Sequence, residues 1–175
     1  LCLVGSEMCI RDRYKELHAN PELSYQEFET SEKLALILEN IGYEVTRNIG
    51  GNGVVALLQN GEGKTVMLRA DMDGLPVEEK TGATYASKKK ALNAEGKEVF
   101  TMHACGHDVH MSVLIGAAEY LFNNQSQWQG NLLLILEPAE EVSGGARNMI
   151  KDGLFTRFPR PCLLYTSPSP RDTEV

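Results

Sequence analysis

Helical and strand-like runs of hydrophobic residues follow one another along the chain. Residues 14–20 read as the end of a helix that Asn20-Pro21 stops. Ser24-Tyr25-Gln26-Glu27 has the spacing of a capping box and predicts a helix reaching about Asn40. Phe28, Leu34, Leu36, Ile37 and Ile41 form its apolar stripe, and Gly42 ends it. Tyr43–Arg47, Val54–Gln59 and Thr65–Ala70 read as strands, the last two joined by a hairpin-like turn at Asn60-Gly61-Glu62-Gly63. From Pro76 to Phe100 the pattern is polar and irregular, with Lys88–Lys97 as a surface insertion. Met111–Phe122, carrying Val113, Leu114, Ala117, Ala118 and Leu121, predicts a buried helix. The apolar run Asn131–Leu136 suits a central strand, and Ala146–Lys151 a final helix. Helices alternating with apolar strands define an α/β fold, with a mixed, largely parallel central sheet and helices on both faces.

Composition narrows the function. The chain has 175 residues, 42% of them hydrophobic and 23% charged, enough for one domain with a proper core. A formal charge of −7 with no basic patch excludes a nucleic-acid partner. No apolar run has the length of a membrane span, so no membrane role is expected. A cytoplasmic location is expected, with export left open by the missing true N-terminus. Of four cysteines, Cys2, Cys9 and Cys162 lie near the ends. Cys105 stands alone in the body among histidines, which suits a ligand or nucleophile better than half of a disulfide.

The two ends stand apart. Gly5–Asp12 and Cys162–Ser169 can be encoded by opposite strands of one nucleotide string, and that string resembles a transposon-type sequencing adapter. Residues 1–13 and 162–175 are therefore expected to be adapter translation, with residues 14–161 the genuine segment. A secretory leader would need a basic start and a clean apolar stretch, which residues 1–13 lack.

The chemistry concentrates in Met102–His110, where three of the chain's four histidines lie with Cys105 and Asp108. Cysteine and imidazole one residue apart, with Gly106 between, suit zinc, and imidazole also suits manganese or cobalt. Asp108 and His110 could fix the orientation of the ligating imidazole. A buried cysteine beside capping residues and a Cys-His nucleophilic pair are the competing readings. Glu137-Pro138-Ala139-Glu140-Glu141 follows the apolar strand. Adjacent carboxylates there can divide the work, one binding metal and one serving as general base, or they can be an ordinary solvated pair. Asp71-Met72-Asp73-Gly74 either starts a turn or places an orienting aspartate at a strand end. His18 reads as a local capping or packing residue, and Gly144-Gly145 as a turn with close backbone packing. Sites in such sheets form beyond the C-terminal ends of strands, so these stretches can share one rim.

Four stretches in order, His18-Ala19-Asn20-Pro21-Glu22-Leu23-Ser24, Leu68–Val77, Met102–His110 and Pro138–Glu141, resemble the amidohydrolase branch of the zinc-peptidase clan. That branch includes N-acyl-amino-acid amidohydrolases, hippurate hydrolases and indole-acetyl-amino-acid hydrolases. The resemblance covers residues 14–161. It implies a centre of two divalent metal ions, zinc or manganese, with Cys105, His107 and Glu141 as ligands. Glu140 would be the general base and Asp73 the orienting aspartate. Asp71, Asp108 and His110 would support the ligands from behind. The implied reaction is hydrolysis of the amide bond of an N-acyl amino acid, and the implied assembly is a homodimer. Further histidine ligands and a smaller lid domain would follow Pro161. On that footing the 175-residue chain by itself would be inactive, and the competing class is a non-catalytic metal-binding or interaction domain. Glu137 stands where the branch usually has glutamine, and Lys88–Glu98 lengthens the loop ahead of the histidines.

Overall fold

The computed structural model describes residues 3–166, with side chains from Ile10 onward. Helix α1 covers Leu3–Ala19 and α2 covers Phe28–Ile41. Strands β1 (Glu44–Ile49), β2 (Gly53–Asn60) and β3 (Thr65–Asp71) follow. A small antiparallel hairpin, β4 (Lys90–Leu92) with β5 (Glu98–Phe100), precedes α3 (His107–Asn123). The chain continues through β6 (Gly130–Glu137), α4 (Gly145–Lys151), α5 (Leu154–Arg157) and β7 (Leu163–Tyr165).

The sheet order is β1-β2-β6-β3-β7. The β2 strand is antiparallel to both β1 and β6, while β6, β3 and β7 run parallel. Four strands thus point the same way and β2 alone opposes them, the mixed, largely parallel sheet expected. The alternation along the strands divides two cores. Val54, Ala56, Leu58, Leu132, Leu134 and Leu136 pack under α1, α2 and α3. Val55, Leu133 and Ile135, from the other phase of the same strands, meet Met149 of α4 and Leu154 of α5. Helices therefore cover both faces.

Three local expectations are corrected. The turn after β2 does not close a hairpin, because β6 lies between β2 and β3. The chain from Asn60 steps over the start of β6, and a Cβ on Gly130 (φ 112°) would sit 2.5 Å from the Lys64 carbonyl oxygen. Ser24 does not cap α2. Its hydroxyl donates to Asp73 Oδ2 at 2.6 Å, and Glu27 becomes the residue preceding the helix. The irregular stretch before the histidines contains the β4–β5 hairpin, so the insertion is a ribbon and not a featureless loop. The apolar stripes hold in part: Leu34, Ile37 and Ile41 of α2 and Leu114, Ala118 and Leu121 of α3 face the core. Leu34, Ala35 and Leu38 are the buried face of α2, with Phe28 and Leu36 exposed, and Val113 of α3 points to solvent while Met111 and Ile115 are buried.

Candidate metal centre

Parallel register aligns Asp71 of β3 with Glu137 of β6, and the Met72 amide continues the ladder by donating to the Glu137 carbonyl at 3.0 Å. Both acidic stretches therefore leave the sheet side by side at one rim. The α3 helix packs on β3 and begins at that rim, with Gly106 before its first residue. Backbone bonds between Leu75 and Met102 (2.9 and 3.0 Å) fix the segments leading in and out. Strand ends and a helix start thus deliver Asp71, Asp73, His107, His110, Glu140 and Glu141 to one place.

His107 is the centre of the arrangement. Its Nδ1 donates to the Asp73 carbonyl oxygen at 2.7 Å, with Asp73 Oδ1 at 3.4 Å. Its Nε2 faces Asp71 Oδ1 at 3.5 Å, Glu140 Oε2 at 3.7 Å and Glu141 Oε1 at 3.8 Å. These separations are too long for hydrogen bonds. Two groups of ligand atoms converge here, Asp71–His107–His110 and His107–Glu140–Glu141. Glu141 Oε1 is buried and has no hydrogen-bond partner. A buried carboxylate oxygen with no donor is costly unless a cation answers it.

The electrostatics point the same way. Burial pulls the His107 imidazole down, but Asp73 and Asp71 outweigh it and push it up to about 9. The carboxylates thus draw a positive charge onto His107, and a divalent cation beside Nε2 would answer the same demand. Burial would raise Asp71, yet the His110 hydrogen bond at 2.7 Å and the charges of His107 and Arg69 hold it below the usual carboxylate range. Glu140 is moved upward by burial and by the charges of Asp71 and Glu141, against His107 and Arg69. The Glu140 side chain is 40% exposed against 18% for Glu141, so Glu140 is the one open to an incoming molecule.

The other expected residues are placed as follows. Asp73 stands behind the centre, buried. Its Oδ1 and Oδ2 accept the Glu140 and Glu141 amides at 3.1 and 3.0 Å, and burial is outweighed by the hydrogen bonds from His107, Ser24 and Glu141 that lower it. Asp71 Oδ1 lies 3.5 Å from His107 Nε2 and accepts from His110 Nδ1 at 2.7 Å. Cys105 is exposed and outside both ligand groups, although the neighbouring Glu141 carboxylate, with partial burial, pushes its thiol up to about 11. Asp108 has both oxygens engaged elsewhere, Oδ1 by the Val109 amide and Oδ2 by His18 Nδ1 at 2.6 Å. His103 is buried outside the centre, and burial pushes it down to about 4. Glu137 accepts from Arg69 Nε at 2.5 Å and from the Ala146 amide at 2.8 Å, so its charge is answered within the sheet.

Two contributors escape sequence reasoning. His18 is not a local cap, because its ring bridges Asp108 and Glu79. Glu27 is fully buried and accepts the Ala139 amide at 2.7 Å, from 112 residues away. No local pattern signals either role, because the partners lie 61 to 112 residues away. Gly144 and Gly145 do serve close packing: a Cβ at Gly144 would fall 1.7 Å from the Tyr25 hydroxyl, and one at Gly145 1.6 Å from the Pro138 carbonyl oxygen.

Fold and centre together define an α/β protein with a histidine–carboxylate site at a sheet rim. The profile of Peptidase family M20/M25/M40 matches residues 67–172. The chain is 45% identical to the hippurate hydrolase of Campylobacter jejuni over 144 residues, 82% of this chain and 35% of that protein. It is 43% identical to the N-acetyl-L-cysteine deacetylase of Bacillus subtilis over 155 residues, 88% of this chain and 35% of that protein. Its fold superposes with TM-score 0.82 on the Bacillus subtilis YXEP protein, a dinuclear metal-binding peptidase of the M20 family. That match has 31% identity and covers 94% of this chain and 43% of the other. The chain belongs to peptidase family M20/M25/M40. It spans about a third of the length of the curated relatives it matches.

Proposed function

We propose that this chain carries the first part of a metal-dependent amidohydrolase centre, and that the protein hydrolyses the amide bond of small N-acyl amino acids. The observation that carries the reading is the convergence of Asp71, Glu140 and Glu141 on the free Nε2 of His107, with Glu141 Oε1 buried and unanswered. Relatives named for hippurate hydrolysis and N-acetylcysteine deacetylation supply the substrate class.

His107 and Glu141 would hold the metal pair, zinc or manganese, with Asp71 and His110 beside them and Cys105 joining from the open side. The metals supply Lewis acidity to the scissile carbonyl and acidity to the attacking water. The side chains do the rest. Asp73 keeps His107 oriented through Nδ1, which leaves Nε2 for the metal. Glu140 takes a proton from the water as its oxygen attacks the acyl carbon. It then gives that proton to the amine nitrogen as the C–N bond breaks. An upward-shifted carboxylate suits both duties, because it accepts and returns a proton with little penalty.

Glu140→Gln in the full-length protein tests this. Turnover of N-acyl amino acids should fall by roughly 10²–10⁴-fold, the usual worth of a general base, with metal content unchanged. Tight stoichiometric metal binding with no turnover in the wild type would favour a non-catalytic metal-binding domain. Hydrolysis that survives complete removal of metal would sink the scheme.

A further inference from the structure

We propose that Glu27 is a positioning residue for the glutamate pair. It fixes where Glu140 and Glu141 project by holding the backbone immediately before them.

Three consecutive amides at the end of β6 all donate to carboxylates from elsewhere in the chain. Ala139 N donates to Glu27 Oε1 at 2.7 Å, Glu140 N to Asp73 Oδ1 at 3.1 Å, and Glu141 N to Asp73 Oδ2 at 3.0 Å. The loop is therefore clasped by two buried acids, one from the segment opening α2 and one from the end of β3. Ala139 is fully buried and left-handed, with φ 49°, a conformation an alanine adopts only when its surroundings enforce it. Its carbonyl is held as well, by Gly144 N at 3.1 Å and Gly145 N at 3.3 Å. An amide donor on one side and a carbonyl acceptor on the other thus lock the turn from which both glutamates emerge.

Glu27 is unusual in its own right. Its side chain is fully buried, and among the described residues every donor to its carboxylate is neutral: Tyr25 N at 3.0 Å, Ala139 N, and Asn52 Nδ2 at 3.1 Å. Burial raises its proton affinity, partly offset by those hydrogen bonds. A buried acid without a cation is expensive to retain. It cannot be explained as a helix cap, since its carboxylate takes none of the α2 amides, and Glu22 accepts those of Glu29 and Thr30 at 3.1 and 2.7 Å. What the carboxylate reaches is the loop of the metal centre. The geometry also says which property matters. The reach of the side chain to Ala139 N is what counts, and the oxygen there needs no negative charge to accept.

That gives a discriminating pair. Glu27→Asp keeps the charge and shortens the reach. Glu27→Gln keeps the reach to Ala139 N and removes the charge, with the Asn52 side-chain amide turning over so that its oxygen accepts from the new Nε2. Hydrogen exchange followed by mass spectrometry on the metal-free full-length protein reads the loop directly. In Glu27→Asp, amides of residues 139–145 should exchange at least about tenfold faster, with β6 and α2 unchanged. In Glu27→Gln they should stay within about threefold of wild type. The metal arm rests on the proposed function. Equilibrium dialysis with zinc or manganese should give a loss of affinity of about 10–100-fold for Glu27→Asp, the usual effect of disturbing a ligand's supporting group, and little for Glu27→Gln. Wild-type exchange in Glu27→Asp, equal disturbance by both variants, or faster exchange spread over α2 would each overturn the proposal. If wild type takes up no metal, the functional reading falls, and the exchange experiment still decides the role of Glu27.

Discussion

Both ring nitrogens of His18 face buried carboxylates, Nδ1 toward Asp108 at 2.6 Å and Nε2 toward Glu79 at 3.0 Å. A neutral imidazole has one N–H, so serving both acids as donor requires the cation. Burial opposes that charge, but the two carboxylates outweigh it and raise His18 above its usual value. Its folded value lies above the unfolded one. The stabilisation is therefore fully present below about pH 6.5, the unfolded value, and is lost as pH rises through the folded one. Glu79 is held below its usual range by His18, Thr81 and the Ser87 amide, against burial, so its share is lost as pH falls. Replacing His18 with glutamine should cost roughly 3 kcal/mol near pH 6, as breaking a buried pair does. The gap between wild-type and variant thermal midpoints should narrow as pH rises past neutrality. A gap that is constant from pH 6 to 9 would contradict a cationic His18. Glu79 also accepts from Thr81 and Ser87, so the pair ties the segment after β3 to the start of α3. His18 is thus legible in the sequence as part of a conspicuous stretch, while its partners are not, because they lie 90 and 61 residues away.

The strands were readable for a plain reason. Leu132-Leu133-Leu134-Ile135-Leu136 is a central strand with both faces covered, and a continuous apolar run is what that environment selects. The placing of β6 between β2 and β3 was not readable, since a short glycine-rich turn between two strands signals a hairpin just as well. What allows the step across is Gly130, whose missing side chain admits the Lys64 carbonyl. Gly130→Ala should cost about 3 kcal/mol in urea unfolding, combining left-handed strain with a backbone clash. Gly61→Ala, also left-handed (φ 76°) but in open space, should cost about 1 kcal/mol. Equal costs would mean that the close approach is unimportant. Ser24 fails as a cap for a related reason. A buried carboxylate, Asp73, competes for its hydroxyl, and no pattern within α2 announces a partner 49 residues on.

Bringing several carboxylates to one rim sets the protein's response to metal. Asp71, Asp73, Glu140 and Glu141 crowd around His107, and a bound cation relieves their repulsion only in the folded chain. Zinc or manganese at about 100 times its dissociation constant should add about 2.7 kcal/mol of stability, read as a raised thermal midpoint over a chelator control. Glu141→Ala should abolish most of that increment, and an unchanged increment would remove Glu141 from the ligand set. The two ends carry a separate expectation. The site's histidines and carboxylates lie within residues 71–141, and the Leu163–Tyr165 strand meets the sheet at β3, where Thr166 accepts from Arg69 Nη1 at 3.3 Å. An independently prepared read of the gene should replace residues 1–13 and 162–175 while leaving 14–161 intact.

The threading of β6 between its neighbours also orders events in time. During synthesis β2 and β3 emerge with no partner for their facing edges, and 58 residues of further chain separate Asp71 from Gly130. Their facing edges must wait for a strand made later that pairs on both sides at once. Long-range pairing of this kind slows folding and leaves aggregation-prone edges exposed meanwhile. The same strand leads into Glu140 and Glu141, so those carboxylates reach His107 only as the sheet closes. A nascent chain stalled before Gly130 would be both unfinished as a sheet and blind to metal.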